Sequence, residues 1–206
     1  MAKLTNTYPF WLRLWHSVNG IICLILIITG LMMQYASPVN IEISLPVAIF
    51  IHNGCGIILI LNWIFFILAN GLSKNGNYYW PTFKIFGEAL IQFKYYAYGI
   101  FKGEHSPYKD DPSRKFNPLQ QLAYWSTMYI FTPLLVITGF IMYNVERLLI
   151  DEKSIIIYQV CDLIHISAAF LISVFLIMHL YLVYIEGLEN LKKIIFKKKK
   201  YTISGK

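Results

Sequence analysis

The chain has 206 residues, 57% of them hydrophobic and only 14% charged, with a formal net charge of +7. That is too apolar for an ordinary soluble domain, and the length suffices for four membrane-spanning helices with their connections but for no extra soluble domain of normal size. The positive charge does not point to nucleic acid, because lysine and arginine gather at the ends of apolar segments and in the C-terminal tail, as membrane topology requires.

The first predicted element covers about residues 11–34. It is too long for the h-region of a cleavable signal and no small-residue cleavage site follows, so it reads as a retained helix. The polar turn Ser37-Pro38-Val39-Asn40 comes next. The second element covers about 46–70, with Pro46 suited to the first turn of a helix. A long loop, 71–118, leads to the third element at about 119–143, where Pro133 should kink the helix. The fourth covers about 156–186 and the basic tail 187–206. Each apolar element exceeds the ~20 residues needed to cross the hydrocarbon core, and the whole chain reads as a single all-α membrane domain. No internal repeat is evident.

The loop is not featureless. Between Tyr78 and Phe101 aromatic residues mix with Lys84, Glu88 and Lys94. This suits either an amphipathic helix in the headgroup layer or a simple aromatic anchor. Residues 109–115 read as a solvated linker, and the run Lys197 to Lys200 as a topology determinant that also favours anionic lipid. Cys23, Cys55 and Cys161 form no CxxC pair and read as small buried thiols, and without a CxxCH motif covalent c-type haem attachment is not supported.

Charge sets the expected orientation. Sixteen of the lysines and arginines lie before the first element's apolar run (Lys3, Arg13), in the long loop, or in the tail, against Arg147 and Lys153 on the opposite side. Both termini and the loop are therefore expected in the cytoplasm, in a multi-pass membrane protein.

Four of the five histidines lie inside apolar segments. His16 sits a little over one turn in from the cytoplasmic start of the first element, and His179 about two turns before the cytoplasmic end of the fourth. His52 and His165 lie about two turns in from the outer face. His165 and His179 are fourteen residues apart, about 21 Å along a helix and about 40° apart around it. Ionisable residues inside a bilayer are costly and mark function. Two depth-matched imidazole pairs are what two six-coordinate b-type haems need: His16 with His179 inside, His52 with His165 outside. The expected fold is a four-transmembrane-helix bundle holding two haems, with iron bound by these four histidines. His105, in the polar stretch 103–107, reads as a loop residue.

Weaker signals surround these positions. Gly20 follows His16 by one turn, and Gly54 and Gly56 follow His52. They suit either close approach of a porphyrin edge or close helix packing. Arg13, one turn before His16, suits a haem propionate or the lipid headgroups.

Taken together, Arg13-Leu14-Trp15-His16, the His52 start of the second helix, the segment Phe116-Asn117-Pro118-Leu119-Gln120-Gln121-Leu122-Ala123-Tyr124 and the His165 to His179 spacing resemble a known family. It comprises the di-haem cytochrome b subunits of bacterial respiratory formate dehydrogenases, nickel–iron hydrogenases and thiosulfate reductases. The resemblance implies the same haem pairing. It also implies a quinone site beside the inner haem, near His179 and Asn117, for menaquinone or ubiquinone. Pro118 and Leu119 depart from the small residues of the formate dehydrogenase branch, and Asn117 also suits a helix N-cap.

The resemblance further implies a membrane anchor that moves electrons between the quinone pool and a periplasmic redox subunit, an iron–sulfur or multihaem protein of one of those complexes. That partner is expected at the outer loops near Asn40-Ile41-Glu42 and Glu146 to Lys153. A reading from a different class is a four-helix transporter or scaffold whose histidines handle metal ions or protons.

Overall fold

The computed structural model describes residues 10–35, 44–73, 76, 80–108, 116–144 and 152–185, with no side-chain description for 152–153. The turn at 37–40, the linker 109–115, Arg147, the tail lysines, the expected docking loop at 40–42 and residues 146–151 of the other lie outside the described residues, whereas 152–153 already belong to a helix.

Six α-helices carry the described chain: α1 (Phe10–Gln34), α2 (Leu45–Leu72), α3 (Lys84–Lys94), α4 (Pro118–Ser126), α5 (Thr132–Tyr143) and α6 (Glu152–Ile185). No strand occurs among the described residues. α4 and α5 join through a wide turn into one span, so four helical stretches of 25, 28, 26 and 32 residues are long and apolar enough to cross a membrane. At 1.5 Å per residue they run about 38–48 Å, more than the ~30 Å of hydrocarbon, so their ends reach the headgroups or the helices tilt.

The residues explain these elements. On α1 the buried residues Leu12, Trp15, Ile22 and Thr29 form one stripe. Ile21, Leu24, Ile28 and Leu31 form the opposite stripe and are exposed. In water such exposure of large apolar residues would be unfavourable; in lipid it is the expected outer face. α2 opens where the Ser44 carbonyl accepts from the Val47 and Ala48 N–H groups at 3.0 and 3.2 Å, with Pro46 in the first turn as expected. α6 starts four residues earlier than its apolar run, because 152–155 add helical turns in front of the hydrophobic stretch.

Pro133 does not act alone. The turn Thr127–Phe131 widens so that the Thr132 N–H donates to the carbonyl of Thr127, five residues back. A proline ring crowds the preceding turn and supplies no N–H, and such widening relieves both effects. The Trp63 indole Nε1 then donates to the Met128 carbonyl at 2.8 Å.

The chain divides into two compact units, one from Met1–Leu59 with Phe170–Lys206 and one from Ile60–Ala169. In the first, the described core is Leu12, Trp15, Ile22, Thr29, Ala48 and Leu59. In the second, α3 packs on α4, and its orientation is the reverse of a soluble amphipathic helix. Phe86, Leu90 and Phe93 point outward, whereas Glu88 and Gln92 are buried beside Ile85 and Ala89. Exposed Lys84 pairs with Glu88 at 3.5 Å. α3 lies inside the aromatic stretch 78–101 and continues through a wide turn, Tyr95–Gly99, and a tight one, Ile100–Lys102. It stops at Gly103, whose φ of 72° suits glycine. The Gly103 N–H donates to the Ile100 carbonyl at 3.3 Å and the Glu104 N–H to that of Gly99 at 3.0 Å, the paired bonds of a Schellman end. His105 follows, exposed and outside any helix, as expected for a loop residue.

Candidate functional site

His16 on α1 and His179 on α6 belong to one unit, and their ring centroids lie 6.1 Å apart with planes tilted by 57°. Two imidazoles binding one metal between them at about 2 Å per bond hold their ring centres about 6–6.5 Å apart. The gap therefore fits one iron. Phe175, one turn before His179, stacks on its ring at 5.8 Å and 26°, which restricts its swing. Cys161 and Ala168 are buried on the α6 face that carries His165 and His179.

Arg13 lies on α1 one turn before His16, with its guanidinium 5.9 Å from the Phe10 ring. Its Nε is buried and has no hydrogen-bond partner among the described residues. An orphaned donor of this kind suits an anionic group such as a propionate. At Gly20 a Cβ would meet nothing within 4 Å, and the same holds at Gly54 and Gly56. Close helix packing, one of the two roles expected for these glycines, is thus not what they do among the described residues; the open backbone suits a flat ligand.

The packing glycines are others. A Cβ on Gly30 would sit 3.5 Å from His52 Cε1, and one on Gly139 would sit 3.2 Å from His165 Cε1. Beside each glycine stands a buried threonine. Thr29 Oγ1 lies 2.9 Å from His52 Nδ1 and donates to the Ile25 carbonyl at 2.7 Å. Thr138 Oγ1 lies 2.9 Å from His165 Nδ1 and donates to the Leu134 carbonyl at 2.7 Å. The sequence reading missed both threonines. Their signal is short: Ile28-Thr29-Gly30 recurs as Ile137-Thr138-Gly139, each threonine five residues before the end of its span.

His16 and His179 form a pair of donors. No group of three or more His, Cys, Asp or Glu side chains converges among the described residues. Zinc and similar ions take three or four protein donors, whereas a porphyrin supplies four of the six iron ligands and asks the protein for two. The donor set fits haem.

Asn117 caps α4. Its Oδ1 accepts from the Gln120 N–H at 2.8 Å and Gln120 Oε1 accepts from the Asn117 N–H at 3.3 Å, with Pro118 in the first turn. Its Nδ2 donates to Tyr96 Oη at 3.0 Å, which ties α4 to the end of α3. The cap uses the acceptor of the side chain and leaves one Nδ2 proton for a ligand. Gln121 Nε2 donates to the Trp80 carbonyl at 3.0 Å. Near this polar seam lies Gln92, fully buried, with neither amide atom hydrogen-bonded among the described residues.

The family described as "Prokaryotic cytochrome b561" matches residues 7–197. A curated relative, the "Putative cytochrome YdhU" of Escherichia coli (strain K12), is 33% identical over 176 residues, which is 85% of this chain and 66% of the relative. The chain thus matches slightly less than two thirds of that protein's length. No solved structure matches the chain. A match across almost the whole chain, a relative of 33% identity and four apolar spans converge: the protein belongs to the prokaryotic cytochrome b561 family of multi-pass bacterial membrane cytochromes, whose redox group is haem b.

Proposed function

We propose that the chain is a transmembrane electron carrier holding two b-type haems one above the other. His16 and His179 hold the inner one. His52 and His165 hold the outer one, a pairing that rests on their matched depth in the sequence. The observation that carries the proposal is the 6.1 Å separation of the His16 and His179 rings. The fourteen-residue spacing of His165 and His179 on one unbroken helix then sets the haems about 21 Å apart along α6, enough to cover most of the ~30 Å core.

When bound, each haem iron takes up and releases one electron. The protein does the rest. Four imidazoles fix the two iron positions, the apolar spans exclude water, and Arg13 offers a donor to a propionate beside the inner site. Asn117, at the α4 start, offers an amide proton to a quinone at the cytoplasmic end. Both termini and the loop 71–118 face the cytoplasm, and an iron–sulfur or multihaem subunit of a hydrogenase, formate dehydrogenase or thiosulfate-type reductase docks outside. Electrons run inward to quinone with the first two partners and outward with the third.

The test is His165→Ala against His16→Ala in haem-supplied membranes. Each variant should keep one b-type haem per chain, and the two survivors should differ in spectrum or potential. Retention of both haems in either variant overturns the ligand assignment.

A further inference from the structure

Thr29 and Thr138 stand in one geometric relation to two different histidines. Each is buried, at 5% and 3% exposure. Each gives its only hydroxyl proton to a carbonyl one turn back, at 2.7 Å in both cases, with a second carbonyl at 3.2 Å for Thr29 and 3.3 Å for Thr138. A hydroxyl has one proton and two lone pairs, so the oxygen left facing Nδ1 at 2.9 Å can only accept. A neutral imidazole that donates from Nδ1 has a bare Nε2, the form that binds a metal. The glycine after each threonine leaves room for the ring edge: even a methyl there would come within 3.5 Å of His52 and 3.2 Å of His165. By contrast, His16 and His179 make ring contacts, and no hydrogen bond to either is found among the described residues.

We propose that Thr29 and Thr138 are positioning residues for the outer haem, fixing the Nδ1–H form of His52 and His165 and strengthening both as iron ligands. A hydroxyl that is already donating to a carbonyl is a better acceptor, because each bond in the chain polarises the next. An imidazole whose Nδ1–H is accepted carries more negative charge at Nε2 and binds the oxidised metal more tightly. The paired Ile-Thr-Gly segments thus favour the ferric outer haem. The inference rests on the two-haem reading above, and its test separates the two.

The test is a redox titration of the full-length, haem-loaded chain, following the visible spectrum. Thr29→Val and Thr138→Val keep volume and remove the hydroxyl acceptor, although the Leu135 carbonyl also accepts a hydrogen bond from His165 and stays in place in the second variant. Each should raise the midpoint of the same one of the two haems; the double variant should raise it further, and the other haem should not move. Thr→Ser at either position should titrate as the parent. Thr→Cys, a weak acceptor, should fall between Ser and Val.

Haem-loaded Val variants that titrate as the parent overturn the proposal. So do Val shifts that land on different haems, or Ser variants that shift as far as Val. If a Val variant does not accumulate, the Ser–Cys comparison decides, and equal midpoints refute the role. A parent chain without two haems defeats the functional reading itself, whereas a two-haem parent with unmoved variants defeats only the role of the threonines.

Discussion

Gly30 and Gly139 make a matched pair whose difference is set by a few tenths of an ångström. Both lie inside membrane-spanning helices beside the ring of a predicted haem ligand. Alanine gains about 0.5–1 kcal/mol over glycine in a helix interior. At Gly30 the new methyl would stand 3.5 Å from His52 Cε1, an ordinary van der Waals contact, so Gly30→Ala should keep that gain and load haem as the parent does. At Gly139 the distance is 3.2 Å, so the His165 ring must retreat. Metal–ligand distances tolerate only about ±0.2 Å, and overpacking costs about 1–3 kcal/mol. Gly139→Ala should therefore lose about 1–2 kcal/mol at the outer site after the helix gain, lowering its haem occupancy roughly 5- to 30-fold at limiting haem. The assay is the haem-to-protein ratio of purified protein at graded haem supply, with the ferric low-spin signal reporting ligand geometry. Full loading of Gly139→Ala with an unchanged signal, or a larger loss in Gly30→Ala, refutes the reasoning.

Asn117→Ala removes both the α4 cap and the bond to Tyr96, and should destabilise the protein by about 1–2 kcal/mol, measured by thermal unfolding in detergent. Gln92→Leu replaces a buried amide lacking partners among the described residues by an apolar group of similar size, so it should leave the melting temperature unchanged or raise it; a clear fall would show that the amide is satisfied in the folded protein. Gly20→Leu fills open space beside His16, so the chain should accumulate normally while inner-haem loading drops; full loading would remove the porphyrin from that helix face.

The sequence carried the spans well because apolar runs of this length have one solution in lipid. α1 ends at Gln34 as expected, and the third span ends at Tyr143 as expected. The sequence puts His16 and His179 at one expected depth, and their ring centroids lie 6.1 Å apart. What depth does not fix is the neighbour at that height. Thr29 against His52 and Thr138 against His165 are contacts between helices, and periodicity along one helix is blind to them; only the recurring Ile-Thr-Gly pointed there. The same limit hid Gly30, whose Cβ would stand 3.5 Å from His52 although the two are 22 residues apart in the sequence. α3 resisted reading for another reason. Its apolar and polar faces were visible, but which face turns inward depends on whether the solvent outside is water or lipid. The kink expected at Pro133 resolved into a widened turn upstream, stabilised by Trp63 from another helix.

The most direct test is the ratio of b-type haem to polypeptide in the purified full-length chain, read from a dithionite-reduced minus oxidised spectrum. Two low-spin haems per chain, both with paired imidazole ligands and separable midpoints, is the predicted result. A colourless protein, or one haem per chain under saturating supply, would contradict the account.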